Sequence, residues 1–263
     1  MSPGRSRHGP GMKAIITRPR DDAAALVSAL AERGIEALLA PMLTILPAAQ
    51  ARQHLAERLT GAQAVLFTSA NGVRAFAAAS LQRELPVLAV GDASAAAARI
   101  AGFRSVASAD GDIEDLVELV AAHLSPQGGA LVHAAGTTVA GDLAGKLVAR
   151  GFTVHRATIY EAVPAAALDP DTAAAMRRGE AALALFFSPR TATTFVRLAA
   201  AAGVEDACRA MAAVALSPAV AAALAALSWR TVRVAARPGQ GDLLAALDAF
   251  LAERAAQTGF GGA

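Results

Sequence analysis

Four serines carry the clearest chemical signal in this sequence, because each follows an apolar run and precedes a helical pattern. Ser69 and Ser188 lie in two similar stretches, VLFTSANGVRAF and LFFSPRTATTF, and Ser94 and Ser217 occupy comparable turns. The pattern predicts strand-to-helix steps of a parallel sheet, with the serines at strand carboxyl ends beside helix N-termini. Such turns bind anionic ligands through backbone N–H groups. Helix capping alone explains the same serines, and the two roles are compatible.

Two further residues stand out, His133 and Tyr160. His133 lies near the carboxyl end of a predicted strand, whereas the other histidines are dispersed without the spacing of a metal site. Tyr160 is the only tyrosine and lies in an extended segment. Its ring suits an aromatic plug as well as a role in a ligand cleft.

The stretch GTTVAG has the glycine spacing of a phosphate loop, but Asp142 replaces the lysine that must reach the phosphates.

Composition limits the classes of protein that remain. The chain has 263 residues, 55% of them hydrophobic and 17% charged, and a net charge of +2. This length favours two domains with real cores. The absence of Lys/Arg runs and the 4% aromatic content disfavour nucleic-acid binding. A single cysteine excludes an intrachain disulfide framework, and the first residues lack an apolar signal-peptide region, so we expect a cytoplasmic protein without a membrane span.

The elements that position the serines repeat along the chain. Strands and helices alternate with short connections, which predicts parallel sheets covered on both faces. The order of predicted strands and helices that begins at Lys13 begins again after Gly128. Ser69 and Ser188 are separated by about 120 residues, and so are Gly34 and Gly151. We interpret this as a tandem duplication of an α/β unit.

Two extended segments fall at matching points of the duplicated chain. The first, residues 41–47, has a proline at each end, and the second, residues 153–163, ends at Pro164. Prolines at strand ends favour edge strands over central ones. The two segments are therefore predicted to pair as a connector between two lobes, which would leave a cleft.

Seven short motifs, taken in order, resemble the uroporphyrinogen-III synthase family from about Lys13 to Glu253. The motifs are ITRP at Ile16, FTSANGV at Phe67, AVGDAS at Ala89, DGDIEDLVEL at Asp110, GDLAGKLVARGFTV at Gly141, IYEAV at Ile159 and FFSPRT at Phe186. Each motif alone is weakly specific, but their order and spacing together are strongly so.

The resemblance implies an α/β fold of two doubly wound parallel-sheet domains of similar topology, joined by a two-stranded β connector. On that pattern one discontinuous domain comprises residues 13–40 and 165–256, and the other residues 47–155. The connector strands would be residues 41–46 and 156–164. Residues 1–12 and 257–263 are expected to be disordered.

The resemblance also implies a reaction without a cofactor or a metal. The linear tetrapyrrole hydroxymethylbilane loses water and closes into a macrocycle with its terminal ring inverted. Loss of the hydroxyl produces an azafulvene cation, and attack by the far ring passes through a spiro intermediate. Because the free bilane closes without inversion, the protein must hold the chain in one reactive geometry.

Matching the family pattern assigns roles to individual residues. Tyr160 corresponds to the family's connector tyrosine, and is expected to assist the departing hydroxyl. The predicted substrate-binding residues are Arg18, Ser69, Asn71, Ser94, His133, Ser188, Arg190 and Ser217. The sequence departs from the family in the turn after Ser217, where Pro218 stands among residues that are often Gly and Thr, and at HAAG, where we expect His133 to replace the positive charge of an Arg.

The partners implied are one small anionic substrate and, transiently, the enzyme that precedes this one in the pathway, with the chain itself a monomer. No nucleic acid or membrane is expected. The rival hypothesis is a non-catalytic two-lobed protein that binds a small anion, since fold and cleft alone do not specify chemistry.

Overall fold

The chain divides into two compact units in the computed structural model, which describes residues 12–139 and 141–259. The first unit combines the chain up to Thr44 with the chain from Pro164 onward, and the second unit is Ile45–Val163. The chain thus leaves the first unit early and returns to it late.

Eleven strands and ten α-helices form these units within the described residues. The strands are β1 (Lys13–Ile16), β2 (Glu36–Leu39), β3 (Leu43–Pro47), β4 (Ala62–Phe67), β5 (Val87–Ala89), β6 (Val106–Ser108), β7 (Ala130–Gly136), β8 (Val154–Pro164), β9 (Ala181–Phe186), β10 (Ala212–Ala215) and β11 (Thr231–Val234). The helices are α1 (Ala24–Ala31), α2 (Ala51–Leu59), α3 (Ala70–Ala79), α4 (Asp92–Ile100), α5 (Ile113–His123), α6 (Leu143–Ala149), α7 (Pro170–Arg177), α8 (Pro189–Ala201), α9 (Pro218–Ala223) and α10 (Gln240–Gly259).

Five corresponding strands have the same order in the two sheets, and the second sheet has β3 as an additional edge strand. The first unit has the order β11-β10-β9-β1-β2, and the sheet of the second has the order β3-β8-β7-β4-β5-β6. The duplication in the sequence matches each strand of the first sheet with one of the second: β9 with β4, β10 with β5, β11 with β6, β1 with β7 and β2 with β8. Corresponding strands occupy the same positions in the two sheets. The pairings between these corresponding strands are parallel. The prediction of two parallel α/β sheets of similar topology is therefore confirmed.

Each sheet is covered by helices on both faces, so its central strands are mostly apolar. In the first unit one face packs around Phe186 and Phe195, and the other around Leu185 and Leu26. In the second unit one face packs around Phe67 and Phe76, and the other around Leu66 and Leu116. These cores fix the strand ends from which the polar side chains project.

Helix α3 lies unusually close to strand β7 because of one glycine. A Cβ atom added to Gly72 would lie 2.9 Å from the carbonyl oxygen of Ala134 in β7. No side chain larger than hydrogen fits there without movement of the helix. Gly72 therefore fixes the position of the first turn of α3 against the sheet.

The ends of the described chain differ from the prediction. Met12 was expected to be disordered, yet its carbonyl accepts a hydrogen bond from the backbone N–H of Glu36 at 2.9 Å. Helix α10 extends to Gly259. Residues 1–11 and 260–263 lie outside the described residues. Within the part that is described, no helix is long and apolar enough to cross a membrane.

Candidate active site

Ser69 and Tyr160 form a hydrogen-bonded pair in the second unit. Strand β4 ends at Phe67, and Ser69 caps helix α3 by accepting a hydrogen bond from the N–H of Gly72 at 3.2 Å. The Ser69 Oγ also lies 3.1 Å from the Tyr160 Oη. One hydroxyl thus stabilises a helix N-terminus and contacts the phenol.

Tyr160 is largely buried, with 9% of its surface exposed. Its ring packs in the same core face as Phe67 and Ile159, and its hydroxyl is the part that reaches Ser69. The sequence left open whether this tyrosine is a plug or a cleft residue. In the structure the ring packs in a core face of the second unit, and Tyr160 also lines a cavity of that unit.

A cavity of about 320 Å³ opens beside this pair. Its polar wall includes Ser69, Tyr160, Thr68, Thr138 and Asp112, and its apolar wall is formed by Val90, Ile113 and Val139. The Asp112 carboxylate caps helix α5 by accepting from the N–H of Glu114 at 2.8 Å and that of Asp115 at 3.3 Å. Five polar residues therefore line one small space.

His133 does not supply the positive charge that was expected of it. The residue is buried, with 2% of its surface exposed, and its Nε2 lies 3.4 Å from the Thr68 Oγ1. Burial, and secondly the nearby charge of Arg156, lower the pKa of His133 to about 4. The imidazole is therefore neutral at pH 7, and its place is beneath the cavity wall as a packing and hydrogen-bonding group.

Ser94 is not a helix cap, contrary to the prediction. Gly91, with extended backbone angles, precedes the first residue of α4, so Asp92 begins the helix and Ser94 lies inside its first turn. The Ser94 side chain is buried, with 5% of the residue exposed. This position removes Ser94 from the set of turn hydroxyls.

Asn71 lies in the first turn of α3 and is engaged by its own helix. Its Oδ1 accepts a hydrogen bond from Arg74 Nη2 at 2.6 Å. The pair places an arginine and an amide on the turn that follows Ser69.

In the first unit the predicted residues lie at the carboxyl ends of neighbouring strands. Ser188 follows β9 and caps α8 by accepting from the N–H of Thr191 at 3.2 Å. Ser217 follows β10 and caps α9 by accepting from the N–H of Val220 at 3.4 Å. Because β9 and β10 are adjacent and parallel, the two capped helices begin at the same edge of the sheet. The Pro218 that departs from the family pattern occupies the first position of α9, where its missing N–H has no cost.

Arg18 joins the same edge, because β1 is the other neighbour of β9. Its guanidinium stacks over the ring of Phe187, 4.2 Å from the ring centre, and its Nη1 donates to the Gln240 Oε1 at 2.9 Å. Cation–π stacking and the hydrogen bond hold the arginine in place. Arg190 occupies the second position of α8, next to the Ser188 cap, and is half-buried.

Sequence reasoning missed four residues of the second unit that shape this region. They are Thr68, Asp112, Gly136 and Arg156. Thr68 and Asp112 precede helices and line the cavity, so the strand-to-helix signal that found Ser69 also points to them. Gly136 was noted only as part of GTTVAG and HAAG and Arg156 gave no signal, because their importance depends on a contact across two strands.

Hydroxyls, a phenol and capped helix N-termini at the strand carboxyl ends of parallel sheets define an α/β protein whose polar side chains lie where proteins of this class bind small ligands. A family model described as uroporphyrinogen-III synthase HemD matches residues 24–245. The chain therefore belongs to the uroporphyrinogen-III synthase family, as the motif resemblance predicted.

Solved structures agree with this assignment at the level of the fold. A mutant uroporphyrinogen III synthase from the extremely thermophilic bacterium Thermus thermophilus matches with a TM-score of 0.54 at 22% identity, over 94% of this chain and 99% of that chain. Uroporphyrinogen-III synthetase from Helicobacter pylori matches with a TM-score of 0.59 at 14% identity, over 91% of this chain and 99% of that one. No curated protein matches the chain significantly.

Proposed function

We propose that this chain is a cyclising lyase that converts hydroxymethylbilane into uroporphyrinogen III, with loss of water and inversion of ring D. Membership of the family over residues 24–245 carries this conclusion. The arrangement of Ser69 and Tyr160 beside a small polar cavity supplies a group suited to the first chemical step.

In that step the bond between the terminal methylene carbon and its hydroxyl oxygen breaks. The Tyr160 phenol donates its proton to the departing oxygen, so that water leaves, an azafulvene cation remains and Tyr160 is left as a phenolate. The proton that the substrate loses when the macrocycle closes restores the phenol. Ser69 Oγ already accepts the N–H of Gly72, so its own hydrogen is available for the Tyr160 oxygen. The phenolic hydrogen is then left to point into the cavity.

The substrate's acetate and propionate groups require cationic and N–H partners. The described chain offers capped helix N-termini at Ser69, Ser188 and Ser217, whose remaining N–H groups favour carboxylates. Arg18 and Arg190 contribute positive charge at the edge of the first unit, and charge-assisted contacts of this kind are short and strong. Asn71 adds an amide beside Ser69. We assign these residues to substrate binding and Tyr160 to catalysis.

Positioning supplies most of the specificity in this proposal. The free bilane closes without inversion, so the protein must favour attack by the substituted carbon of the far ring over the simpler closure. The reaction as proposed needs no cofactor and no metal. We further propose that the chain acts as a cytoplasmic monomer and meets the preceding pathway enzyme only transiently.

A coupled assay separates this function from that of a non-catalytic binding protein. Hydroxymethylbilane is supplied by the preceding reaction, the products are oxidised, and the type III and type I isomers are resolved. We expect type III to dominate when the chain is present and type I to dominate without it. Production of the uninverted isomer alone would contradict the proposal, and tight binding of the bilane without turnover would favour the rival.

A further inference from the structure

Strand β8 contains an irregularity at the residue before Tyr160. Along the pairing of β7 with β8, Ala135 lies opposite Thr158, but Gly136 lies opposite Tyr160. Ile159 is thus an extra residue without a partner on β7. This is the arrangement of a β-bulge, which bends the strand and changes the direction of the side chains that follow.

The bulge changes which core face the side chains of β8 enter. Up to and including the bulge residue, the side chains alternate, since Val154 packs against one face of the sheet and Ala157 and Ile159 pack against the other. Strict alternation would send Tyr160 to the face of Val154. Instead Tyr160 and Ala162 pack on the same face as Ile159. Only the extra residue brings the Tyr160 ring to the side of the sheet where Ser69 lies.

Gly136 provides the space for the redirected ring. A Cβ atom at this position would lie 2.7 Å from the Tyr160 Cε2 and 2.9 Å from its Cζ. Contacts below 3.0 Å force one group to move, and the aromatic ring is packed on its other sides by the core. Any side chain at position 136 therefore displaces the phenol.

Arg156 holds the end of β7 beside the bulge. Its Nη2 donates to the carbonyl oxygens of Gly136 at 2.6 Å and Thr137 at 2.7 Å. The N–H of Thr137 in turn donates to the Tyr160 carbonyl at 3.0 Å. One guanidinium thus fixes two consecutive peptide groups, and one of these is bonded to the backbone of Tyr160.

We propose that Gly136 and Arg156 are positioning residues for Tyr160, acting through the bulge at Ile159 to hold the phenol against Ser69. The inference rests on the proposed catalytic function of Tyr160. Neither residue touches the reacting atoms in this proposal. Gly136 sets where the ring lies, and Arg156 sets where the backbone at the end of β7 lies.

The only tyrosine of the chain gives a direct probe of this arrangement. Protein labelled with 3-fluorotyrosine has a single ¹⁹F resonance, which reports the surroundings of the Tyr160 ring without requiring activity. We expect Gly136→Ala and Arg156→Ala to move this resonance by more than its linewidth, and Arg156→Lys to restore part of the shift. Arg104→Ala, which removes an exposed arginine paired with Glu84, is the matched control and should leave the resonance in place.

Kinetics then test whether the ring position matters for catalysis. We expect Gly136→Ala to lower kcat by about tenfold or more with KM changed less than about twofold, since small misplacements of a catalytic group are costly. In a Tyr160→Phe background the same substitution should have little further effect on kcat. Multiplicative losses in the double variant would overturn the proposal, because they would show that Gly136 acts independently of the hydroxyl.

The two readouts separate this inference from the proposed function. An unmoved resonance in both Gly136→Ala and Arg156→Ala overturns the positioning role, whatever the activity. If the resonance moves in the variants but the wild-type chain itself makes no type III product, the positioning role stands and the catalytic one is overturned. Should Gly136→Ala fail to fold, the exposed Arg156 carries the same test.

Discussion

At the scale of single residues, Ser69 combines a structural role with a chemical one. Its oxygen accepts the N–H of Gly72 and also contacts the Tyr160 hydroxyl. Ser188 and Ser217 cap their helices in the same way but have no phenol partner, since the chain has one tyrosine. Substitution of Ser69 should therefore lower stability, as the loss of any helix cap does, and should also slow catalysis.

We expect Ser69→Ala to lower the free energy of unfolding by about 1 kcal/mol, the usual effect of removing a serine cap. It should also slow turnover, because the Tyr160 oxygen loses its neighbour. Asp169→Ala is a suitable control, since Asp169 caps α7 by accepting from the N–H of Thr172 at 2.9 Å and is assigned to no site. Equal stability losses with a slower rate only for Ser69→Ala would support the account, and equal rates would contradict it.

His133 makes stability depend on pH. Burial and the charge of Arg156 lower the pKa of His133 from 6.5 to about 4 in the folded protein. Below about pH 6.5 the unfolded state binds a proton that the folded state does not, so stability falls as the pH falls toward 4. The full effect is on the order of 3 kcal/mol.

Urea unfolding at a series of pH values tests this expectation. The wild-type protein should lose stability through this window, and His133→Gln should lose less over the same range because the amide does not titrate. Parallel curves for the two proteins would show that His133 is not the group responsible.

At the scale of elements, the position of α3 depends on a glycine that sequence reasoning treated only as part of a motif. Gly72→Ala would bring its Cβ to 2.9 Å from the carbonyl oxygen of Ala134. The atom in the way belongs to the backbone of a central strand, so the helix must move. We expect a loss of about 1 to 3 kcal/mol in the free energy of unfolding.

Thermal or urea unfolding of this variant can be compared with Gly241→Ala. Gly241 lies in α10 with open space where its Cβ would be placed, so alanine there should be neutral or mildly stabilising. A neutral Gly72→Ala would contradict the close packing of α3 on β7.

Elements also show where prediction from sequence succeeds and where it fails. The apolar runs of β4 and β9 and the serines after them are local signals, and the structure places Ser69 and Ser188 as caps. The turn GDAS offers several capping residues, and Gly91 takes the cap position that Ser94 was expected to hold. The bulge at Ile159 and the space at Gly136 belong to two strands that are far apart in sequence. No local sequence pattern predicts such a contact.

At the scale of the whole molecule, the duplication explains why the two units share a topology. The corresponding strands have the same order in the two sheets, so each unit presents the carboxyl ends of its strands in the same way. Periodicity was enough to predict this. The early exit of the chain from the first unit and its late return came only from the family resemblance, since a repeat does not tell which segments fold together.

We expect residues 43–164, which contain the second unit and the full lengths of β3 and β8, to fold when expressed alone. The segment is continuous and contributes both core faces of its own sheet. Circular dichroism with α/β character and a cooperative urea transition would confirm this. A non-cooperative chain would show that the second unit depends on the rest of the molecule.

The most direct test of the account is the single-turnover rate of type III formation by the wild-type chain and by Tyr160→Phe. The phenylalanine ring keeps the core packing and removes only the hydroxyl that contacts Ser69, so the melting temperature should stay close to that of the wild type. We predict a rate lower by a factor on the order of 10² with type III still the main product. A fully active Tyr160→Phe would contradict the catalytic role of the phenol and leave Tyr160 as a packing residue.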